Sequence, residues 1–429
     1  MLKTGRVLLL LAILLLTANA EANVPVIVKV SQTANISNIA ALLGGSVLDS
    51  LPGANTYLLS LPSLPLLTPT LQLLGLQWIA PNKLMTLPSV VPVAMLSVPA
   101  TVPPAWYKYQ PSMQIIGSNS AHAISSGGGV VVADINARVD YGHPALIGHL
   151  TSGYDFVANT PSSITNLNQS SAGFLDESGG GFLNQSSAGF LDQSSAGFLD
   201  DNGVGILNQS AAGFLDGTDP AYSHGTLCAG VIAAIAPNAM IMPLRAFDDE
   251  GNADIFTLAK AIRYAVQHGA RVLNMSFGTL QDVKVLQEAI QFAQRANVVL
   301  VASAGNNNTS NPQYPASYSG VFGSASTGLT DVKSWFSNYG SNGVNVYLDA
   351  PGENIISPYP DGRYSIVSGT SFSAPAVSGT AALVLSLRTT GIASYIANTA
   401  VKIDQQNPNY SGQLGVGRID ALNAVQAAQ

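Results

Sequence analysis

Two stretches of this chain set a reactive side chain beside glycine at the start of an apolar run. In V-S-G-T-S-F-S-A-P (Val367–Pro375) that side chain is Ser371, and A-A-L-V-L-S-L follows at Ala381–Leu387. A glycine-led turn opening a helix puts Ser371 at the helix N-terminus. Backbone N–H groups there have no partner within the helix and the dipole is positive, so an oxyanion forming on a bound carbonyl is stabilised. Pro375 suits the helix start, where few N–H groups have partners to lose. In S-H-G-T-L-C-A-G-V-I-A-A-I (Ser223–Ile235) the side chain is His224. The dipole disfavours its protonation unless an anion compensates, which calls for a carboxylate. Asp134 closes the continuous apolar run G-G-G-V-V-V-A-D (Gly127–Asp134), and the carboxyl end of a buried strand is where open parallel sheets carry functional residues. In A-S-A-G-N-N (Ala302–Asn307), Asn306 offers an amide N–H beside a bound carbonyl.

Each of these has a bland reading: a helix cap for Ser371 or Asp134, a core imidazole for His224, a turn for Asn306. Their succession outweighs it. Asp134, His224, S-F-G (Ser276–Gly278), A-G-N and G-T-S come in one order on successive strand and helix ends. His122, His143, His149 and His268 lack the glycine-led context, and no G-x-S-x-G elbow surrounds Ser371. The chemistry is nucleophilic. A serine hydroxyl attacks weakly at neutral pH, so an imidazole must take its proton and later return it to the leaving amine.

The elements that carry these residues alternate. Ala239–Ala246, Ala270–Ser276 and Val298–Ser303 read as apolar strands, with amphipathic helices at Ile255–His268 and Val283–Ala296. Strands buried on both faces between helices mean a parallel sheet covered on both sides. Upstream, Val26–Val30, Asn55–Leu61 and Leu76–Ala80 read as strands, with helices at Ile36–Leu43 and Leu67–Leu74. That is a small α+β domain, followed by a Pro-rich extended linker over Pro88–Pro104. Six octads of the type Q-S-S-A-G-F-L-D fill residues 169–216. Each carries one apolar pair, too little for a core, so they read as a surface insertion.

Charged residues make up only 10% of the 429 and the net charge is −7, which leaves no basic stripe for nucleic acid. Lys3 and Arg6, the apolar run Val7–Leu16 and the small residues Ala18–Ala20 read as a signal peptide ending at residue 20. Cys228 is the single cysteine, so no internal disulfide can form, and it reads as a small core residue.

From about Ala105 onward the chain resembles a subtilisin-like serine protease (a subtilase). The resemblance rests on S-H-G-T…A-G and G-T-S-F-S-A-P, with support from L-N-M-S-F-G (Leu273–Gly278), Y-P-A-S-Y (Tyr314–Tyr318), L-D-A-P-G (Leu348–Gly352) and G-V-G-R-I-D-A (Gly415–Ala421). It implies a three-layer α/β/α sandwich with a mainly parallel sheet over residues 101–429, preceded by an inhibitory prodomain and linker over 21–100. It further implies a secreted, extracellular or periplasmic, monomeric serine endopeptidase acting on proteins and peptides, with its own prodomain as partner and no membrane attachment after signal cleavage. Carried over, Asp134 orients the imidazole, His224 is the base, Ser371 the nucleophile and Asn306 an oxyanion donor. Ser276, Phe277 and Gly278, with Ala304 and Gly305, would bind substrate. No cofactor is expected for the chemistry; structural calcium is common in the family, but no ligands can be assigned. Two departures stand out. D-I-N replaces the usual D-S-G or D-T-G at Asp134–Asn136, and the spacing from Asp134 to His143–Pro144 is two residues longer than usual, which leaves Asp140 as an alternative carboxylate. Leu227 and Cys228 replace the usual His-Val. The D-I-N departure and the octads between Asp134 and His224 support a competing reading, a subtilase-like binding or structural protein with impaired catalysis.

Overall fold

The computed structural model describes residues 23–87, 91–96, 102–162, 221, 223–340 and 345–429. The signal-peptide reading and the octads fall outside these residues. The chain divides into two compact units, one ending at Asn82 and the other running from Lys83 to Gln429.

In the first unit four antiparallel strands, β1 (Val24–Val30), β2 (Ser46–Leu51), β3 (Thr56–Leu61) and β4 (Leu76–Pro81), lie in the order β2-β3-β1-β4. Alternate residues of a strand share a face. Val26, Val28 and Val30 therefore meet Leu59 and Leu61, and Ile39 and Leu71 from two short helices complete the core. Those helices start at Asn35 and Thr68, whose side chains accept from the Asn38 and Leu71 N–H groups. The sequence reading lacked β2. Most of its residues are exposed, so S-V-L-D-S-L carries little apolar signal.

The second unit is built on an eight-stranded sheet of β7 (Val131–Asn136), β8 (Gly153–Asp155), β9 (Thr160–Ser162), β10 (Met240–Arg245), β12 (Val272–Met275), β13 (Val299–Ser303), β14 (Val321–Thr327) and β15 (Leu348–Pro351). Its order is β15-β14-β13-β12-β7-β10-β8-β9, and every pairing except β8–β9 is parallel. The chain leaves β7, passes through β10 on one side and returns to β12 on the other. Such a reversal opens a crevice at the carboxyl ends of the strands. Helices Ile255–Gln267 and Lys284–Arg295 are amphipathic and pack on each other. Helices His224–Ile235 and Thr370–Leu385 are buried on every side, as their all-round apolar sequences require, and they too pack together.

Five further strands form two small sheets. Strands β5 (Leu84–Thr86) and β11 (Asn252–Asp254) form an antiparallel pair. Strand β17 (Arg363–Ser368) pairs antiparallel with both β16 (Ile355–Tyr359) and β6 (Val91–Leu96), so strand structure occupies part of the segment read as a linker.

Candidate active site

Three elements deliver the site. Strand β7 ends in Asp134-Ile135-Asn136, and residues two apart share a face. Asp134 and Asn136 therefore touch: Asn136 Nδ2 lies 3.2 and 3.3 Å from the two Asp134 carboxylate oxygens. Asn274, directly opposite Asp134 on β12, donates to it at 2.8 Å.

His224 begins its helix against the loop that follows β7. Gly225 makes this approach possible, since a Cβ there would sit 2.3 Å from the Arg138 carbonyl oxygen and 2.8 Å from that of Ala137. The residue that meets His224 is then Asn136, whose Oδ1 lies 2.6 Å from His224 Nδ1. The expected carboxylate, Asp134, has no hydrogen bond to the ring; it sits behind Asn136. Asp140, the alternative, accepts from the Gly142 and Asp361 N–H groups instead. The two-residue surplus between Asp134 and His143 was the signal for this: counting back from His143–Pro144 by the usual spacing lands on Asn136.

Burial sets the electrostatics. It pushes the Asp134 carboxyl up to about 7, with the Asn274 and Asn136 amides pulling it back. It lowers His224 to about 4, and no carboxylate counters it. His224 is 2% exposed and Ser371 fully buried, and His224 Nε2 and Ser371 Oγ are without hydrogen-bond partners. Catalytic contacts of this kind often tighten only around substrate. The sulfur of Cys228 lies 3.8 Å from His224 Nδ1 and 3.4 Å from the Ser371 carbonyl oxygen, so both residues border one small volume.

Pro375 has a different part from the one its type suggested. It is the sixth residue of the helix, and its missing N–H would have bonded the Ser371 carbonyl. Ser276 Oγ at 2.9 Å and Cys228 Sγ satisfy that oxygen instead. Ser276 is thus occupied in holding the Ser371 backbone.

Asn306 Oδ1 accepts from Thr370 N at 2.9 Å and Thr370 Oγ1 at 2.7 Å. An N–H can only donate, so the amide oxygen faces Thr370 and its Nδ2 is turned away from it. Gly369, with φ at +153°, shapes the turn; a Cβ there would lie 3.4 Å from that Nδ2.

Of the other expected substrate residues, Phe277 is buried against Phe247, and Gly278 and Gly305 flank the side chain of Gln313. A Cβ on either glycine would come within 2.1 Å of the Gln313 amide. The sequence reading missed Gln313, which no motif marks. Among the described residues no three His, Cys, Asp or Glu side chains gather as a metal would require. The acidic run after Phe247 is used structurally. Asp249 pairs with Arg138 and Arg245, and Asp254 caps the Ile255–Gln267 helix.

A parallel sheet with a serine, an imidazole and an amide at the ends of its strands and buried helices defines a hydrolase of the nucleophilic serine class. The subtilase family (Peptidase_S8) model matches residues 127–417, and the chain belongs to that family of serine endopeptidases. It is 31% identical over 335 residues to thermitase of Thermoactinomyces vulgaris, covering 75% of this chain and 98% of that protein. It is 32% identical over 324 residues to a thermophilic serine proteinase of Bacillus sp. (strain AK1), covering 74% and 67%. Its fold is similar to that of fervidolysin from Fervidobacterium pennivorans, a keratinolytic enzyme related to subtilisin. The TM-score is 0.68 at 23% identity, covering 94% of this chain and 61% of that one. Among the described residues no helix is long and apolar enough to cross a membrane.

Proposed function

We propose that Ser371 attacks the peptide carbonyl, that His224 is its base, and that Asn306 and the Ser371 backbone N–H hold the oxyanion, in an endopeptidase that is exported and cuts its own chain first. The observation that carries this reading is the pair of buried, unpartnered atoms, His224 Nε2 and Ser371 Oγ, at the N-termini of two helices packed on each other. Attack by Oγ passes its proton to Nε2. The imidazolium then protonates the leaving amine, and water releases the acyl group by the reverse proton route. No cofactor enters these steps. Gln313 between Gly278 and Gly305 narrows the space expected to take the residue before the scissile bond, which favours a small side chain there.

Self-cutting is supported by two strands. Leu84–Thr86 pairs with β11, and Leu87 N–H donates to the Gly251 carbonyl at 2.8 Å. Gly251 also neighbours Ala221, three residues before His224. Val91 pairs with Ser368, three residues before Ser371. Leu87 thus lies on the histidine side of the site and Val91 on the serine side, and the two are close in sequence. The first cut is expected between them, freeing the β1–β4 unit as a prodomain. Mass and N-terminal sequence of the secreted protein test this. The wild type should begin within residues 88–91 and label with a fluorophosphonate at Ser371; Ser371→Ala should begin at Glu21 and remain unlabelled. Maturation of Ser371→Ala in a protease-free host would refute self-cutting, and failure of the wild type to label would refute the nucleophile.

A further inference from the structure

We infer that Asn136, locked in one orientation by Asp134 and by the Ala137 N–H, holds His224 in the tautomer with hydrogen on Nδ1, orienting the base as a carboxylate would but without bringing a charge to it. The inference rests on His224 being the general base. Three groups hold the Asn136 amide. Its oxygen accepts from Ala137 N at 2.9 Å, and a peptide N–H can only donate. Its nitrogen faces both oxygens of Asp134. Asp134 is itself anchored by Asn274 Nδ2, and the Asn274 orientation is set in turn by Ser378 Oγ, which donates to its oxygen at 3.0 Å. Turning the Asn136 amide over would set donor against donor at Ala137 and, with Asp134 ionised, acceptor against acceptor at Asp134. In a buried site both mismatches are costly.

The third group is His224 Nδ1, 2.6 Å from the fixed oxygen. Two lone pairs cannot share that distance, so Nδ1 carries the hydrogen. Nε2 then keeps the lone pair that takes the Ser371 proton. In a serine protease the exchange of the orienting aspartate for asparagine lowers kcat by about 10⁴, because the amide leaves the ring in the wrong tautomer. Here the amide cannot turn, so the tautomer part of that loss is avoided. What remains missing is a carboxylate on the ring when the imidazolium forms. Asn136 is therefore a positioning residue, and Asp134 acts on His224 only through it.

Two measurements test this. The first uses the full chain carrying Ser371→Ala, which prevents self-digestion, with nitrogen-15-labelled histidine. The His224 resonances are those lost on further exchange to alanine. The ring should show hydrogen on Nδ1 at neutral pH, and adding Asp134→Asn, which frees the Asn136 amide to turn, should give a mixture of tautomers. A ring with hydrogen on Nε2 in the parent, or a tautomer unchanged by Asp134→Asn, would overturn the inference.

The second measurement exchanges the two positions, Asp134→Asn with Asn136→Asp, putting the carboxylate on the imidazole and the amide behind it. In the active chain kcat should rise on the order of 10²-fold, below the ceiling of about 10⁴ set by a complete loss, with KM within about 3-fold. A folded double variant turning over at or below the wild-type rate would overturn the inference. If His224→Ala kept wild-type turnover, the general-base reading itself would fall, and the tautomer would still decide the role of Asn136.

Discussion

Replacing Asp134 with asparagine should change how stability depends on pH, in a direction that follows from two buried groups of opposite kind. Burial raises Asp134 from 3.8 to about 7. Its folded form therefore holds a proton that the unfolded chain has lost, and this contribution, complete below pH 3.8, disappears as pH rises through about 7. Burial lowers His224 from 6.5 to about 4. There the unfolded chain holds the extra proton, and the contribution, complete above pH 6.5, disappears as pH falls through about 4. Between pH 4 and 6.5 the two slopes are opposite, each of about 1.4 kcal/mol per pH unit, so they cancel. Asp134→Asn removes one of them. Relative to its parent, the variant should lose about 3 kcal/mol on acidification from pH 6.5 to 4. Every other titrating group is common to both proteins and drops out of the difference. Urea unfolding across that range, with Ser371→Ala in both proteins to prevent autolysis, measures it. A difference that stays constant within about 0.5 kcal/mol from pH 4 to 6.5 would show that Asp134 is not protonated in the fold, and would refute the burial argument.

Asn306→Ala should lower kcat by about 10²–10³ with little change in KM, because its donor faces charge that exists only in the transition state; a change confined to KM would assign it to substrate binding. Gly225→Ala drives a Cβ into the Arg138 and Ala137 carbonyl oxygens, so the helix must shift away from Asn136. Stability should fall by about 1–3 kcal/mol and turnover by at least about 10-fold, and unchanged kinetics would show that the approach of helix to loop is not needed. Gln313→Ala should open the space between Gly278 and Gly305, raising kcat/KM for phenylalanine over alanine before the scissile bond by at least about 10-fold in peptide assays. An unchanged preference would remove Gln313 from that pocket.

Much of this protein is decided by local residue types. The apolar strand V-V-V-A, the amphipathic helices and the two helices with no charged face follow from the hydrophobic pattern, and the glycine-led starts before Ser371 and after His224 follow from the space a helix N-terminus needs. These patterns are legible because burial acts on each segment separately. The exposed strand β2 left no such pattern, and Gln313 fills its gap only because Gly278 and Gly305 come together from distant parts of the chain. The group that meets His224 was only half legible, as a two-residue surplus before His143–Pro144 that set spacing against residue type. Asp134 and Asn136 share one face of β7, and both are polar ends to a buried strand. Which of them meets His224 depends on how far β7 runs before the histidine helix crosses it, a matter of two residues or about 6–7 Å. Residue chemistry favours the carboxylate. The register of strand against helix, set by Gly225 packing on the Ala137 and Arg138 carbonyls, puts the amide there instead.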